Sequence, residues 1–382
     1  MEQITYGKGT PADCDEIVDF GNYIFSHDCG STDFPSLLPK LYGGETNLAE
    51  YHYLAKAGGR IVGMIGAFPM EANILGRSFP ARGIGTISTH PKYRGKGIMT
   101  ELFRAAVSDM ERDGVAFSVL GGQRQRYEHF GYEPCGVLID FAVTKKNLSQ
   151  IAPGKFSTAP LERGDAADIR RALLLQSSKP LYITRRPEDF YTTSLSWGST
   201  PFLLLENGSF CGYLIASSDR GTIQELELTD VSRLPETVAA YLASAGVDTV
   251  HIDLPPFERE KIAILDSFCE WYQVGTAHSF YIFDYEGLIR QLMMLKATYT
   301  TLADGKLVLE IGGSGRLSIE VSAQRIKVEN TDEPADLVLS PLAAARFLFS
   351  PLSGLLEYMP GRGAITSSWF PLPLYLPRID EV

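Results

Sequence analysis

The period of the apolar positions changes several times along the chain, and each change marks an element. Ile98 opens a helical stretch: Met99, Leu102, Phe103, Ala106 and Met110 recur at three-and-four spacing, which puts them on one buried face. An extended run, Thr86 to His90, precedes it and is stopped by Pro91; a basic, glycine-punctuated turn, Lys92 to Gly97, joins the two. Asp113-Gly114 ends the helix, and Val115 to Leu120 reads as a second buried strand. Upstream, residues 4–8 predict a strand and Pro11 to Phe25 a helix with Ile17, Phe20 and Ile24 inward. Residues 26–45 read as a polar loop ending in a short apolar patch. Tyr51–Ala57 and Ile61–Ile74 form a hairpin around Gly58-Gly59. Downstream, Gln123 to Phe130 predicts a short helix capped by a left-handed Gly131, and Gly136 to Val143 a strand that closes this first unit.

Residues 150–158 (QIAPGKFST) are a linker by composition. A similar rhythm follows: helix Asp165–Ser177, hairpin Pro201–Ile215 around Asn207-Gly208, strand Ile223–Leu228, helix Pro235–Ser244, strand Val250–Leu254 and helix Phe257–Ser267. From about Gly287 the pattern changes to a helix (Leu288–Leu295), three strands (Leu307–Gly312, Arg316–Val321, Arg325–Asn330) and an apolar helix to Phe349. Ser340 supplies the last helix's N-cap and Pro341 its first position. The final stretch, Trp369 to Val382, is apolar and stiffened by Pro371, Pro373 and Pro377 to the last residue, where most chains fray. It predicts a segment docked in a groove.

With 382 residues, the chain divides into two or three domains. Its 35 Lys and Arg against 46 Asp and Glu leave a net charge of −11, which disfavours nucleic acid and anionic lipid as partners. No apolar run reaches about eighteen residues, so no membrane span is expected. The N-terminal residues show neither the basic region nor the apolar core of a signal peptide. Five scattered cysteines without a CxxC pair argue for reduced thiols, a cytoplasmic location and no metal site.

The chemistry lies in the turn. A helix N-terminus leaves about four backbone N–H groups unpaired and carries partial positive charge. Gly95 and Gly97 let a diphosphate approach those groups, and Arg94 and Lys96 add formal charge. A triphosphate-binding Walker loop requires Gly-Lys-Ser/Thr, whereas Gly97 follows Lys96. A dinucleotide fingerprint requires a third glycine where Thr100 stands.

Arg94 and Gly97 instead resemble the acyl-coenzyme A turn, Arg/Gln-x-x-Gly-x-Gly/Ala, of the GNAT acetyltransferases, with Met99 replacing the usual small third residue. The Eis-like branch (enhanced intracellular survival proteins) carries a bulky residue there. Tyr127-Glu128-His129-Phe130-Gly131-Tyr132 is similar to the Tyr-x-x-Phe-Gly-Tyr/Phe segment that follows the fifth strand in the same superfamily. The resemblance implies an α+β fold. Two GNAT folds, each a mixed central sheet flanked by helices, would be followed by a sterol carrier protein-like α/β domain. The implied boundaries are 1–150 (catalytic), 151–286 (coenzyme-free) and 287–382. The second unit has lost the turn: Thr229 to Pro235 contains no glycine and places Pro where an N–H is needed.

On this resemblance the chain is an N-acetyltransferase that uses acetyl-CoA to acetylate a primary amine of a polyamine, an aminoglycoside-like compound or a lysine. Ile87, Ser88, Thr89, Arg94, Gly95, Lys96, Gly97, Ile98, Met99 and Thr100 would hold the coenzyme, Tyr127 would act as general acid, and the carboxylate of Val382 as general base. Asp28, Asp33, Phe34 and Glu381 would line the acceptor site. Homo-oligomers, commonly hexamers, are the family's habit. His129, two residues from Tyr127, falls on another helix face, and His90 reads as a turn or coenzyme contact. The rival reading is a coenzyme- or lipid-binding module with a vestigial acetyltransferase core. The intact Arg94, Gly95, Gly97 and Tyr127 speak against it.

Overall fold

The computed structural model describes residues 3–30, 32–43, 48–151, 153–353 and 362–382, except the side chains of residues 28 and 29. The described residues form a mixed α/β architecture with three sheets. The first runs β1 (Ile4–Lys8), β2 (His52–Ala57), β3 (Arg60–Ile74), β4 (Arg77–Thr89), β5 (Phe117–Leu120), β15 (His278–Ile282), β6 (Glu133–Cys135). The predicted hairpin is present as β2 and β3; β3 then turns through the left-handed pair Leu75-Gly76 into β4, which begins at Arg77, ahead of the extended run read from Thr86. Helix α1 spans Cys14–Cys29. The segment read as a polar loop instead folds into two short helices, α2 (Phe34–Leu37) and α3 (Pro39–Tyr42), which bury Phe34, Leu38 and Tyr42. Helix α4 (Ile98–Arg112) buries Ile98, Leu102, Phe103, Ala106 and Met110. Each of the larger side chains contributes roughly 1.5–3 kcal/mol relative to exposure.

The second sheet runs β14 (Trp271–Gly275), β7 (Leu138–Thr144), β13 (Thr249–Leu254), β12 (Thr222–Leu228), β11 (Ser209–Ala216), β10 (Thr200–Glu206), β8 (Phe156–Pro160). Here the structure departs from the sequence reading. The strand expected to close the first unit, β7, lies inside the second sheet and pairs with β13 and β14. Its place in the first sheet is taken by β15, which pairs β5 and β6 from more than 140 residues away. The two sheets thus exchange strands, and neither is complete without the other half of the chain. The third sheet is β18 (Arg325–Asn330), β17 (Gly315–Ser322), β16 (Gly305–Ile311), β19 (Leu337–Leu339), flanked by α10 (Tyr285–Ala297) and α11 (Pro341–Phe349). Ser340 caps α11 as expected, accepting from the Ala343 N–H.

The proline-stiffened tail threads the whole molecule. Trp369, Phe370, Leu372, Leu374, Tyr375 and Leu376 are buried in the core shared by the first sheet, α10 and the third sheet. Ile379 sits in the core under β10 and β11, and Val382 packs on the core beneath α1 and α2.

Candidate active site

The site is a fork between β4 and β5. These parallel strands pair only at Ala81–Phe117, Arg82–Ser118 and Gly83–Val119, after which they diverge. A bulge in β4 accompanies the divergence: the β3–β4 register shifts between Met64 and Gly66, and Thr86 takes φ 48°. A β-branched residue in the left-handed region needs support from its surroundings. The Tyr42 hydroxyl donates to Thr86 Oγ1 at 3.0 Å, and His52 Nε2 lies 3.4 Å from the same oxygen. His52 Nδ1 is 2.8 Å from the Leu48 carbonyl, so it donates there and leaves Nε2 as the acceptor. Burial lowers the His52 pKa to about 4, which keeps the ring neutral in this network.

The chain's own end occupies the fork. A Cβ on Gly83 would collide with Val382 Cγ2, and one on Gly85 would fall 2.8 Å from the Val382 carboxyl carbon. On the opposite strand a Cβ on Gly121 would collide with Glu381 Oε1, and one on Gly122 would meet the Tyr127 ring at 2.5 Å. Three of these glycines therefore leave a notch for the terminal residue and the Glu381 side chain, and the fourth, Gly122, leaves space for the edge of the Tyr127 ring. Burial raises the Tyr127 pKa, with Arg126 pulling the other way, so the phenol holds its proton at neutral pH.

Several groups fix the tail. Arg185 makes paired bonds to Asp380 at 2.9 and 2.7 Å and to Glu225 at 2.8 Å each. Tyr213 adds a bond to Glu225 at 2.6 Å. Burial opposes the charge on Glu225, but Arg185 and Lys179 outweigh it and hold the carboxyl at about 2. Further back, Tyr375 and Pro377 line a small polar cavity with Glu225, Glu227 and Asp253, where β12 and β13 have parted after pairing only at Thr222–His251 and Ile223–Ile252.

At the outer end of the fork, Gly95 and Gly97 take φ 77° and 75°, with nothing within 4 Å of where a Cβ would sit. Gly97 is the N-cap of α4 and no side chain caps that terminus, so the first-turn amides of Ile98, Met99 and Thr100 face an open approach. Arg94 and Lys96 are exposed beside them. A diphosphate fits this cradle. Ser88, one strand residue beyond Ile87, carries a buried hydroxyl without a hydrogen-bond partner.

The sequence-derived residues do not all converge. Val382 and Glu381 lie at the fork, and the Tyr127 ring packs against Gly122, next to the Gly121 that faces Glu381. Ile87, Ser88 and Thr89 form its β4 arm, and residues 94–100 its mouth. Phe34 is buried in the core on which Val382 packs. Asp33 is exposed, its side chain accepting from the Ser36 hydroxyl. Asp28 lies near the end of α1, and its side chain is outside the described residues. His129 is exposed in a separate groove between α4 and the start of α11, and His90 Nδ1 accepts from the Lys92 amide within the turn. Sequence reasoning missed Lys40, Trp197, Arg185 and the four glycines of the fork. Only Gly83-x-Gly85 left a local trace, as two side-chain-free positions on one face of a strand.

A family model described as an acetyltransferase (GNAT) domain matches residues 6–135. In fold, the chain is similar to a GCN5-related N-acetyltransferase from Kribbella flavida (16% identity, all of both chains covered, TM-score 0.71). It is also similar to a probable N-acyltransferase from Enterococcus faecalis V583 (15% identity, all of both chains, TM-score 0.70). A third similar structure is Eis1 from Mycobacterium abscessus (14% identity, 96% of each chain, TM-score 0.66). At these identities the likeness is one of fold. No curated protein matches the chain. The chain carries an acetyltransferase domain and is an acyltransferase enzyme. Such enzymes draw on acetyl-CoA or another acyl-CoA and act on amines of small molecules or proteins. Among the described residues no helix is long and apolar enough to cross a membrane.

Proposed function

We propose that the chain is an acetyl-CoA-dependent N-acetyltransferase of the Eis-like kind, acting on a primary amine by direct attack. The observation that carries the reading is the seating of the chain end in the β4–β5 fork, with the Val382 side chain against Gly83, its carboxyl group against Gly85 and the Glu381 side chain against Gly121. When bound, acetyl-CoA supplies an activated acyl group as its thioester. The 94–100 turn holds the diphosphate through backbone amides and two cations. The Ile87 amide, on the arm that has left β5, donates to the acyl oxygen as charge develops there. An acceptor amine of pKa about 10 arrives protonated. The Val382 carboxylate takes that proton first, directly or through a water, and releases it to solvent, which frees the nitrogen lone pair. It then takes the second nitrogen proton as the carbon–nitrogen bond forms, and that proton replaces the one Tyr127 gives up. Tyr127 gives its proton to the sulfur as the carbon–sulfur bond breaks. The carboxylate of Glu381 and the net negative charge of the chain favour multiply cationic acceptors such as polyamines, aminoglycoside-like compounds or lysine side chains.

The same proposal takes residues 151–286 as a GNAT-like copy without coenzyme. Its β12–β13 fork, the counterpart of β4–β5, opens on a small cavity lined by Glu225, Glu227, Asp253 and Glu258 with Lys179, and by Tyr375 and Pro377 of the tail. Residues 287–382 would be a sterol carrier protein-like domain whose tail completes the catalytic site, in a cytoplasmic homo-oligomer. The test is thiol release from acetyl-CoA by purified protein with polyamines, aminoglycosides and lysine peptides in turn. Release with at least one acceptor is expected; none with any amine, despite bound coenzyme, would refute the assignment.

A further inference from the structure

The last peptide bond of the chain is clamped from two sides. The Glu381 carbonyl accepts from Lys40 Nζ at 2.6 Å and from Trp197 Nε1 at 3.1 Å. Lys40 also bonds the Ile379 carbonyl at 2.7 Å, bridging the single turn that Arg378 to Asp380 form before the end. The two donors come from distant parts of the chain, Lys40 from α3 and Trp197 from the turn after α7 (Pro187–Ser194). Among the described residues no donor of the chain bonds the terminal carboxylate itself. Everything up to the final peptide is held, and the carboxylate beyond it is left to accept.

Both clamp residues sit where folding alone would not put them. Trp197 has φ 61° and ψ 26°, a left-handed backbone that a bulky aromatic residue rarely adopts, and Gly198 continues it at φ 69°. Strain of this kind persists where the surroundings over-determine it, commonly at functional sites. Lys40 spends its ammonium on main-chain carbonyls. Burial brings its pKa down to about 8, with Asp380 and Glu381 pulling up and Arg185 pulling down, so the fold disfavours the charge it carries. A residue whose charge burial opposes and a residue with a left-handed backbone converge on one carbonyl oxygen.

We infer that Lys40 and Trp197 are positioning residues that fix the plane of the Glu381–Val382 peptide and thereby aim the terminal carboxylate at the acceptor amine. This rests on Val382 being the general base. Two donors on a single carbonyl define the peptide plane. With that plane set, only the two rotations within Val382 direct the carboxylate, and the bare faces of Gly83 and Gly85 leave space for its side chain and carboxyl group where they lie. Loss of either donor frees the peptide to rotate without emptying the coenzyme cradle at residues 94–100.

The experiment uses the full chain and three variants: Lys40→Met, Trp197→Phe and removal of Val382. Trp197→Phe keeps the packing ring and loses only the N–H. Lys40→Met keeps the stem and loses a charge the fold disfavours. Both clamp variants are expected to lower kcat at least tenfold and to leave KM for acetyl-CoA and calorimetric coenzyme affinity within twofold. A purely structural role would weaken coenzyme binding in step with activity, and that outcome overturns the inference. Unchanged kcat in both clamp variants, with activity lost on removing Val382, overturns it too while sparing the general-base reading. Full activity without Val382 removes that reading itself. If Lys40→Met does not fold, Trp197→Phe alone decides.

Discussion

Adding one methyl group at Gly85 tests whether the terminal carboxylate works where it sits. The new Cβ would lie 2.8 Å from the Val382 carboxyl carbon and 3.0 Å from its oxygen, whereas ordinary contact begins at 3.4 Å. The carboxyl group must therefore retreat by about 0.6 Å, since β4 is held by β3 on one side and has no room to yield. Misplacing a reacting group by about 1 Å costs up to about 100-fold. A retreat of this size should lower kcat by about one power of ten, ~1.4 kcal/mol. Gly83→Ala supplies the internal control. Its Cβ would collide with the Val382 side chain, at Cγ2, and not with the carboxyl group. Trimming that side chain should therefore rescue one variant and not the other. Gly83→Ala with Val382→Ala should return to within threefold of the Val382→Ala rate, while Gly85→Ala with Val382→Ala should stay about tenfold down. The assay is steady-state thiol release at saturating acetyl-CoA, with Tm measured alongside. Full kcat in Gly85→Ala, or equal rescue of both glycine variants by Val382→Ala, would refute the assignment of the proton acceptor to the main-chain carboxylate.

Tyr127→Phe should preserve coenzyme binding and cut turnover by about two to four powers of ten, since the phenol proton has no substitute in the notch; unchanged turnover removes Tyr127 from the mechanism. Gly97→Ala forces a Cβ onto a backbone at φ 75° and into the diphosphate approach. Calorimetry should show at least tenfold weaker acetyl-CoA binding, and undiminished affinity would place the diphosphate elsewhere. Stability should fall in acid because of the tail lock. Glu225 titrates at about 2 in the fold against an ordinary 4.5, so its contribution is complete above pH 4.5 and is lost as pH drops towards 2. The gap corresponds to about 3 kcal/mol. Urea unfolding of Glu225→Gln should be weaker at pH 7 and flatter between pH 4.5 and 2 than that of the unchanged chain. Parallel curves would show that Arg185 gains nothing from Glu225.

Residues close in sequence determined whatever depends on neighbours. The basic turn before α4, the left-handed Gly131, the Asn207-Gly208 hairpin and the Ser340-Pro341 helix start are written in short stretches, and each appears where its residues require it. The proline-stiffened tail announced that it docks, because an apolar terminus cannot remain in water. Where it docks was not legible. Strand β7 carries the same apolar run, Phe141 to Val143, whichever sheet receives it, and β15 leaves no sign that it will pair with β5, so the exchange between sheets is set by which edges remain free once both halves collapse. The polar reading of residues 26–45 failed for a related reason: Phe34, Leu38 and Tyr42 are spaced for a helical face, yet only a core to cover makes them helical. Lys40, Trp197 and Arg185 look like ordinary surface residues in the sequence. Tertiary structure alone brings them to the last three residues of the chain, because hydrogen bonds and ion pairs over some 180 to 340 residues are decided by packing and have no local code.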